Sequence, residues 1–456
     1  MASKVFIGAG AGFAGDRTDA AGPVVDALAR LAGPRFLMFE TLAERTLALS
    51  QLERRRDPRR GFNPALDRFI APVLARCLRD EIRIIGNFGA ANPRAAAARI
   101  LALAREQGLR SPRVAVVEGD DLTGILSAKQ LAARETAGAI LRDATDIISA
   151  NLYLGAGPIA QALDQGAEIV VTGRVADSAL ALGPLIHAFR WRSDDWDRLA
   201  AGTLAGHLLE CGAQVTGGYF ADPPYKEVSA MADLGYPIAE IYADGDLVIT
   251  KPPGTGGRVD RLTVIEQLLY EIHDPAAYLG PDVVLDISAV TVEELAPDRV
   301  RVRGARGRPA PETLKATVCV DGGMLGEAEI SYAGPNAAAR ARLAAETIRE
   351  RMRKRAPGLV VRTDAIGVIS VLGDNGAALA EPWPSGAADV RLRFAAQSAS
   401  AAEVELLLDE VEALYCAGPA GGAGVRRRLT PRLASASCLV ERKFASPRVV
   451  LLGDAP

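Results

Sequence analysis

The sequence predicts an α/β protein: an amino-terminal parallel-sheet domain with crossover helices over residues 1–235, followed by an α+β domain over 236–456. Three observations carry this expectation. Through the first half, short apolar runs alternate with stretches of helical periodicity, the pattern of strands joined by crossover helices. Each of those runs ends in polar or glycine-bearing residues, as strand-to-helix loops do. Beyond about residue 235 the pattern changes to hairpin signals and antiparallel alternation.

In chain order, the predicted buried strands are KVFIGAG (4–10), RFLMFE (35–40), IRIIGNFG (82–89), RVAVVEG (113–119), IISANLYLG (147–155) and EIVVTGR (168–174). Helical spacing marks ALDRFIAPVLARCL (65–78) and PRAAAARILALAREQG (93–108). Parallel strands are covered on both faces, which is why they read as continuous apolar runs. In the second half, Asp244-Gly245 sits between alternating apolar residues and predicts a hairpin over 238–251. KATVCVDGGMLGEAEISY (315–332) repeats the theme. A helix at about 336–355, a strand-helix unit at 389–416 and a strand pair near 436–452 follow.

Composition narrows the function. With 49% hydrophobic residues, 53 Lys plus Arg against 56 Asp plus Glu, and a net charge of −3, the chain offers no broad field for nucleic acid. No apolar run reaches the roughly 18 residues that span a bilayer, so no membrane partner is expected and the expected compartment is the cytoplasm. Five scattered cysteines without a C-x-x-C pair argue against a disulfide framework and a structural zinc site. Three histidines make a multi-histidine metal site hard to build, so a divalent cation would fall to carboxylates. Homo-oligomerisation is the expectation for a soluble enzyme of this size.

The first strand breaks into Gly10, Gly12 and Gly15, spaced as in a dinucleotide loop, with Glu40 ending the next strand where a ribose-binding acid would sit. Against NAD, Gly22-Pro23 would fall inside the helix whose amides should meet the pyrophosphate. The helix is better started near Ala21, with Asp19 as cap and Pro23 in its first turn. Asp16 would then repel the phosphates.

In open parallel sheets, ligands sit outside the carboxyl ends of the strands. The predicted tips bring Asp16, Arg17, Glu40, Asn87, Glu118, Asp120, Asp121, Thr172, Arg174 and Asp177 to one crevice. Paired carboxylates such as Asp16 and Glu40 suit general acid and base work when their environments separate their pKa values. Asn87 offers an amide to a substrate carbonyl, and Asp177 also suits a cap for a helix opening at Ser178. Arg17 and Arg174 can clamp a carboxylate or phosphate. Lys251 and the GTGGR loop, with Gly254, Gly256 and Arg258, form a basic segment whose amides can cradle an anion. Thr263 and Glu266 spell a capping box there. His207, Glu210 and Cys211 share a helix face, although Gly212 ends that helix and its dipole disfavours a thiolate. GPAGGAGVRRR (418–428) reads as a surface loop or a site for CoA phosphates, and RERMRKR (349–355) as an ordinary basic helix end.

The segments LMFETLAERTLA (37–48), IGNFGAANP (85–93), VVTGRVADSAL (170–180), DWDRLAAGTLAGHLLECGAQVTGGYF (195–220) and ITKPPGTGG (249–257) together resemble the acyclic terpene utilisation (AtuA) family. The likeness continues through EQLLYEIHDPAAYL (266–279), RVRGARGRPAPETLK (301–315), AEISYAGPNA (328–337) and GPAGG (418–422). It implies a place in the catabolism of acyclic terpenes through branched acyl-CoA intermediates. It assigns no reaction step and no catalytic residue. The reading that joins crevice and resemblance is a hydratase or lyase acting on a branched, CoA-linked small molecule. The alternatives are a non-catalytic acyl-CoA-binding partner of a carboxylase pathway and, third, an NAD-dependent oxidoreductase.

Overall fold

A computed structural model describes residues 3–142, 144, 146–373 and 386–452. The chain forms two compact units, residues 1–319 with 435–456, and residues 320–434.

The first unit begins β1 (Lys4–Ala11), α1 (Ala21–Leu28), β2 (Arg35–Phe39), α2 (Glu44–Arg56), α3 (Leu66–Arg79), β3 (Ile82–Gly86), α4 (Pro93–Glu106) and β4 (Val114–Glu118). Then come α5 (Ala128–Ala132), β5 (Ile147–Leu152), α6 (Gly157–Asp164), β6 (Ile169–Thr172), α7 (Ala179–Phe189) and α8 (Trp196–Glu210). Next are β7 (Ile238–Tyr242), β8 (Leu247–Thr250), α9 (Arg261–Leu269), β9 (Tyr278–Leu279), β10 (Val284–Asp286), β11 (Thr291–Ala296), β12 (Arg299–Arg303) and β13 (Arg306–Arg308). β14 (Thr313–Ala333) runs into the second unit, which holds α10 (Ala337–Arg355), β15 (Val361–Ile366), β16 (Asp389–Ser398) and α11 (Ala401–Ala417). β17 (Ala423–Glu441) leads back to β18 (Arg448–Leu452).

The main sheet has the order β11-β12-β8-β7-β1-β2-β3-β6-β4-β18. Its centre, β1-β2-β3-β6-β4, is parallel throughout. On one face, α3 buries Leu66, Phe69, Ile70, Val73, Leu74 and Cys77 at helical spacing, beside apolar residues of α1 and α4. Each such side chain contributes about 1.5–3 kcal/mol relative to exposure. The alternate strand residues, Val5, Ile7, Met38, Ile85 and Val170, are buried as well, and α6, α7 and α8 contact these strands. Cover on both faces is what the continuous apolar runs predict.

β7 pairs antiparallel with β1, and β8 antiparallel with β7, so the carboxyl end of β8 lies at the same sheet edge as that of β1. The predicted hairpin over 238–251 is therefore an extension of the parallel sheet, and the boundary expected near 235 falls inside the first unit. β5 is the exception among the predicted parallel strands. It pairs with β14 instead, because Tyr153 N–H donates to the Lys315 carbonyl at 2.9 Å.

The second unit, from the last part of β14 to the first part of β17, follows a β-α-β-β-α-β succession with sheet order β15-β16-β14-β17, the ferredoxin-like arrangement. Two expectations are corrected here. The segment 315–332 is one strand, not a hairpin: Gly323, at φ +77°, kinks it without reversing it, and its N–H bonds to Asp321 Oδ1. The last two strands do not pair with each other, since β17 joins β14 and β18 joins β4. The RRR segment opens β17, where Arg427 bonds to Asp409 and Glu412. Arg351 and Arg355 of the basic helix end both meet Glu410.

Candidate active site

The first glycines serve close packing. A Cβ at Gly10 would strike the Phe39 ring, and one at Gly12 would lie 2.4–2.8 Å from the Cys211 and Gly212 backbone at the end of α8. Gly12 N–H donates to Asp16 Oδ2 at 2.7 Å, Arg17 N–H to Asp16 Oδ1 at 2.8 Å, and the Tyr236 hydroxyl also donates to Asp16. Asp16 thus knots the loop, and the amide that a phosphate would need is taken. α1 starts at Ala21 as expected, but no side chain caps it, so Asp19 does not play that part. Gly12→Ala is expected to cost about 1–3 kcal/mol through overpacking, read as a lower urea midpoint. Gly15→Ala, whose Cβ would meet only the exposed Phe13 ring, should leave that midpoint nearly unchanged.

Glu40, at the tip of β2, is buried. Its Oε1 accepts from Leu42 N–H and from Asn87 Nδ2, both at 2.8 Å, while Asn87 Oδ1 accepts from Thr41 N–H at 2.7 Å. The tips of β2 and β3 are so joined by one side-chain amide. Burial, reinforced by the Asp177 carboxylate, pushes Glu40 up to about 8, against the pull of Arg174 and the two hydrogen bonds.

Arg174, beyond β6, is fully buried. Its guanidinium donates to the Leu42 and Val175 carbonyls and to the Asp177 carboxylate, and lies 4.5 Å from the centroid of the Tyr153 ring. Burial pushes the Asp177 carboxyl above the ordinary range while Arg174 opposes it. Asp177 does not cap α7, since its side chain is taken by Arg174 and the helix carries no side-chain cap.

Asp120, beyond β4, buttresses this corner. Its Oδ2 accepts from Arg174 N–H at 2.9 Å and from Asn151 Nδ2 at 2.8 Å, and burial raises it to about 6 against those bonds. Asp121 accepts from Thr123 N–H and Gln51, and Glu118 is paired with Arg94. Sequence reasoning missed Glu44, Tyr153 and Lys315. The Tyr153 hydroxyl donates to Glu44 Oε1 at 2.5 Å, and Lys315 Nζ lies 3.3 Å from the same oxygen and 4.6 Å from the Tyr153 centroid. Burial opposes ionisation of Glu44, yet Tyr153, its own N–H, Lys315 and Arg174 hold it down to about 2. Tyr153 was visible at a strand tip, but Lys315 joins by a strand pairing that no local pattern announces.

The remaining candidates are occupied elsewhere. Arg17 donates to the Ala232 and Met231 carbonyls. Thr172 is buried, with its Oγ1 3.0 Å from the Gly173 carbonyl. Lys251 bonds to the Thr255 carbonyl at 2.8 Å and pairs with Asp298. Arg258 pairs with Asp260 and bonds to the Glu227 carbonyl. Gly254 has φ +80°, and Gly256 presses on the Ala230 carbonyl. The capping box is Asp260 with Thr263, one turn earlier than expected, and Glu266 pairs with Lys226 instead.

At the end of α8, His207 Nδ1 and Glu210 Oε1 are 3.1 Å apart and both residues are buried. Burial and Glu210 raise the Cys211 thiol well above its ordinary value, so this thiol is not activated. All five cysteines are free. Among the described residues, no group of three or more His, Cys, Asp or Glu side chains is arranged to hold a metal ion, and no helix is long and apolar enough to cross a membrane.

The arrangement therefore brings Glu40, Asn87, Arg174 and Asp177 together from three strand ends, and leaves Asp16, Arg17, Lys251 and Arg258 in bonds of their own. It can hold a proton on Glu40 near neutral pH beside a carboxylate paired with arginine. A family model described as acyclic terpene utilisation family protein AtuA matches residues 5–451. No curated protein matches this chain.

Proposed function

From the chain's membership of the acyclic terpene utilisation (AtuA) family, we propose that it is a cytoplasmic enzyme of branched, isoprenoid acyl-CoA breakdown that catalyses a hydratase or lyase type of step. One observation carries this: Glu40, pushed up to about 8 by burial, keeps its proton beside Asp177, whose carboxyl is held by the Arg174 guanidinium. A carboxyl that keeps its proton beside a second carboxyl held by an arginine is the equipment for adding or removing water next to a thioester.

In the hydration direction, Asp177 accepts a proton from water as the water oxygen bonds to C3 of a 2,3-unsaturated acyl thioester. The C2–C3 π electrons move towards the thioester oxygen, and return as C2 takes the proton of Glu40. Transfer of the proton from Asp177 to Glu40 through solvent restores the starting state. The reverse sequence eliminates water.

The test is incubation of the purified protein with branched 2,3-unsaturated and 3-hydroxy acyl-CoA thioesters in H₂¹⁸O, with products followed by mass spectrometry. One incorporated ¹⁸O, lost in Glu40→Gln and Asp177→Asn proteins, is the expected result. Tight thioester binding without any turnover would instead establish the non-catalytic acyl-CoA-binding partner.

A further inference from the structure

α10 and α11 cover one face of the second unit's sheet. On that side Ile330 and Tyr332 of β14, Leu392 and Phe394 of β16 and Ala365 of β15 join buried residues of both helices in one apolar cluster. Val425 and Leu429 of β17 pack against this cluster, and Arg427 between them reaches back to Asp409 and Glu412 of α11. Side chains alternate along a strand, so Arg426 and Arg428 stand on the opposite face. The same alternation puts Glu327 and Glu329 of β14, Arg391 and Arg393 of β16, and Arg362 and Asp364 of β15 on that face as well.

The acids of this face are taken by the arginines of β15 and β16. Asp364 accepts from Arg362 at 2.9 Å and from Arg393 at 2.7 Å, Arg393 also meets Glu327, and Arg391 lies 3.2 Å from Glu329. Asp321, at one end of the face, accepts from Gly323 N–H at 2.8 Å, and Asp389, at the other end, stands across from Ala333. Arg426 and Arg428 are exposed and have no ion pair or side-chain hydrogen bond among the described residues. They follow each other at about 6.8 Å along one strand, with both carboxylates of the neighbouring β14 engaged elsewhere. Arg432, farther along β17, adds positive charge, and its Nε has no hydrogen-bond partner among the described residues. Cations left without counter-charges on one face make a field that attracts an anion.

We propose that Arg426 and Arg428 form a phosphate-binding site on the second unit, and that its ligand is the phosphorylated adenosine end of coenzyme A. The arginines set the chemistry: each guanidinium presents a fork of N–H groups that matches two oxygens of one phosphate. Coenzyme A ends in a ribose 3′-phosphate and a 5′-diphosphate, so one molecule brings a phosphate to each fork. The choice of coenzyme A among phosphorylated ligands rests on the acyl-CoA reading given above. Single-stranded RNA does not fit, because its bases need aromatic platforms and the strand positions of this face hold none. Arg427 belongs to the same basic segment but is turned to α11, so strand alternation divides that segment into a structural arginine and two binding ones.

The experiment is isothermal titration of the full-length protein with adenosine 3′,5′-bisphosphate, which carries no pantetheine and no acyl group. Saturable binding is expected, weakened roughly tenfold by Arg426→Gln or Arg428→Gln and abolished when both are changed. Arg427→Gln removes the same charge from the other face and should keep the affinity within about twofold, because a fork that faces α11 cannot reach the ligand. Adenosine 5′-monophosphate and inorganic pyrophosphate should both bind more weakly than the bisphosphate. No binding by the wild-type protein, undiminished binding by the double variant, or an equal loss in Arg427→Gln overturns the site, and pyrophosphate binding as tightly as the bisphosphate overturns coenzyme A as its ligand. Binding that follows Arg426 and Arg428 in a protein that turns over no thioester sustains the site and sinks the hydratase reading alone. Turnover of a thioester by a protein without affinity for the bisphosphate does the reverse.

Discussion

Arg174→Met is expected to cost about 3–5 kcal/mol, the scale for removing one partner of a buried ion pair. For a domain that is stable by about 5–15 kcal/mol, this is a large fraction of the whole. The guanidinium, 1% exposed, meets the carbonyls of Leu42 and Val175, the Asp177 carboxylate and the Tyr153 ring at once. Methionine fills the volume but leaves two buried acceptors and a carboxylate without a donor. Urea denaturation followed by circular dichroism measures the loss. Arg174→Lys should fall between wild type and Arg174→Met, since one ammonium cannot reach the same fork of partners. Adding Asp177→Asn to the Met protein should recover part of the loss by removing the stranded charge. A Met protein within about 1 kcal/mol of wild type would mean that this corner is not what joins the strand tips.

Glu40→Gln is expected to lower turnover by about 10²–10⁴-fold while leaving the fold intact. The amide oxygen can still accept from Leu42 N–H and Asn87, the two bonds that seat the carboxyl. The pH dependence of stability gives an independent check. The folded protein holds the Glu40 proton up to about 8, against an unperturbed value of 4.5, so it binds more protons than the unfolded chain between those limits. Wild-type stability therefore falls as pH rises through that window, and levels off above it. The Gln protein lacks this group, so its melting temperature should gain on wild type from pH 5 to pH 8 and hold its lead beyond. Parallel melting curves across the window would show that Glu40 ionises freely in the folded state.

The parallel core was legible because its strands are buried on both faces: runs such as Val114–Glu118 have no polar alternation to hide them. The tips of β2, β3 and β6 were legible for the same reason, and with them Glu40, Asn87, Arg174 and Asp177. Partners brought by distant segments were not. Lys315 reaches Tyr153 and Glu44 through the pairing of β5 with β14, a choice made by tertiary structure and not by either segment's composition. The glycines at 10 and 12 left two readings open for a related reason. A glycine that admits a phosphate and one that admits another backbone look alike in one dimension, and only the Cys211–Gly212 contact tells them apart. In the second half, Asp321-Gly322 promised a reversal, but β16 and β17 flank the strand and keep it extended.

The first unit is interrupted by the second and completed by β18, which pairs antiparallel with β4. During synthesis, therefore, the edge of β4 stays open until β18 has left the ribosome. Throughout that interval a row of unsatisfied backbone groups is available to neighbouring nascent chains. Cells making this protein quickly would be expected to depend on chaperone cover for that edge, and deleting β18 should turn a transient hazard into a permanent one.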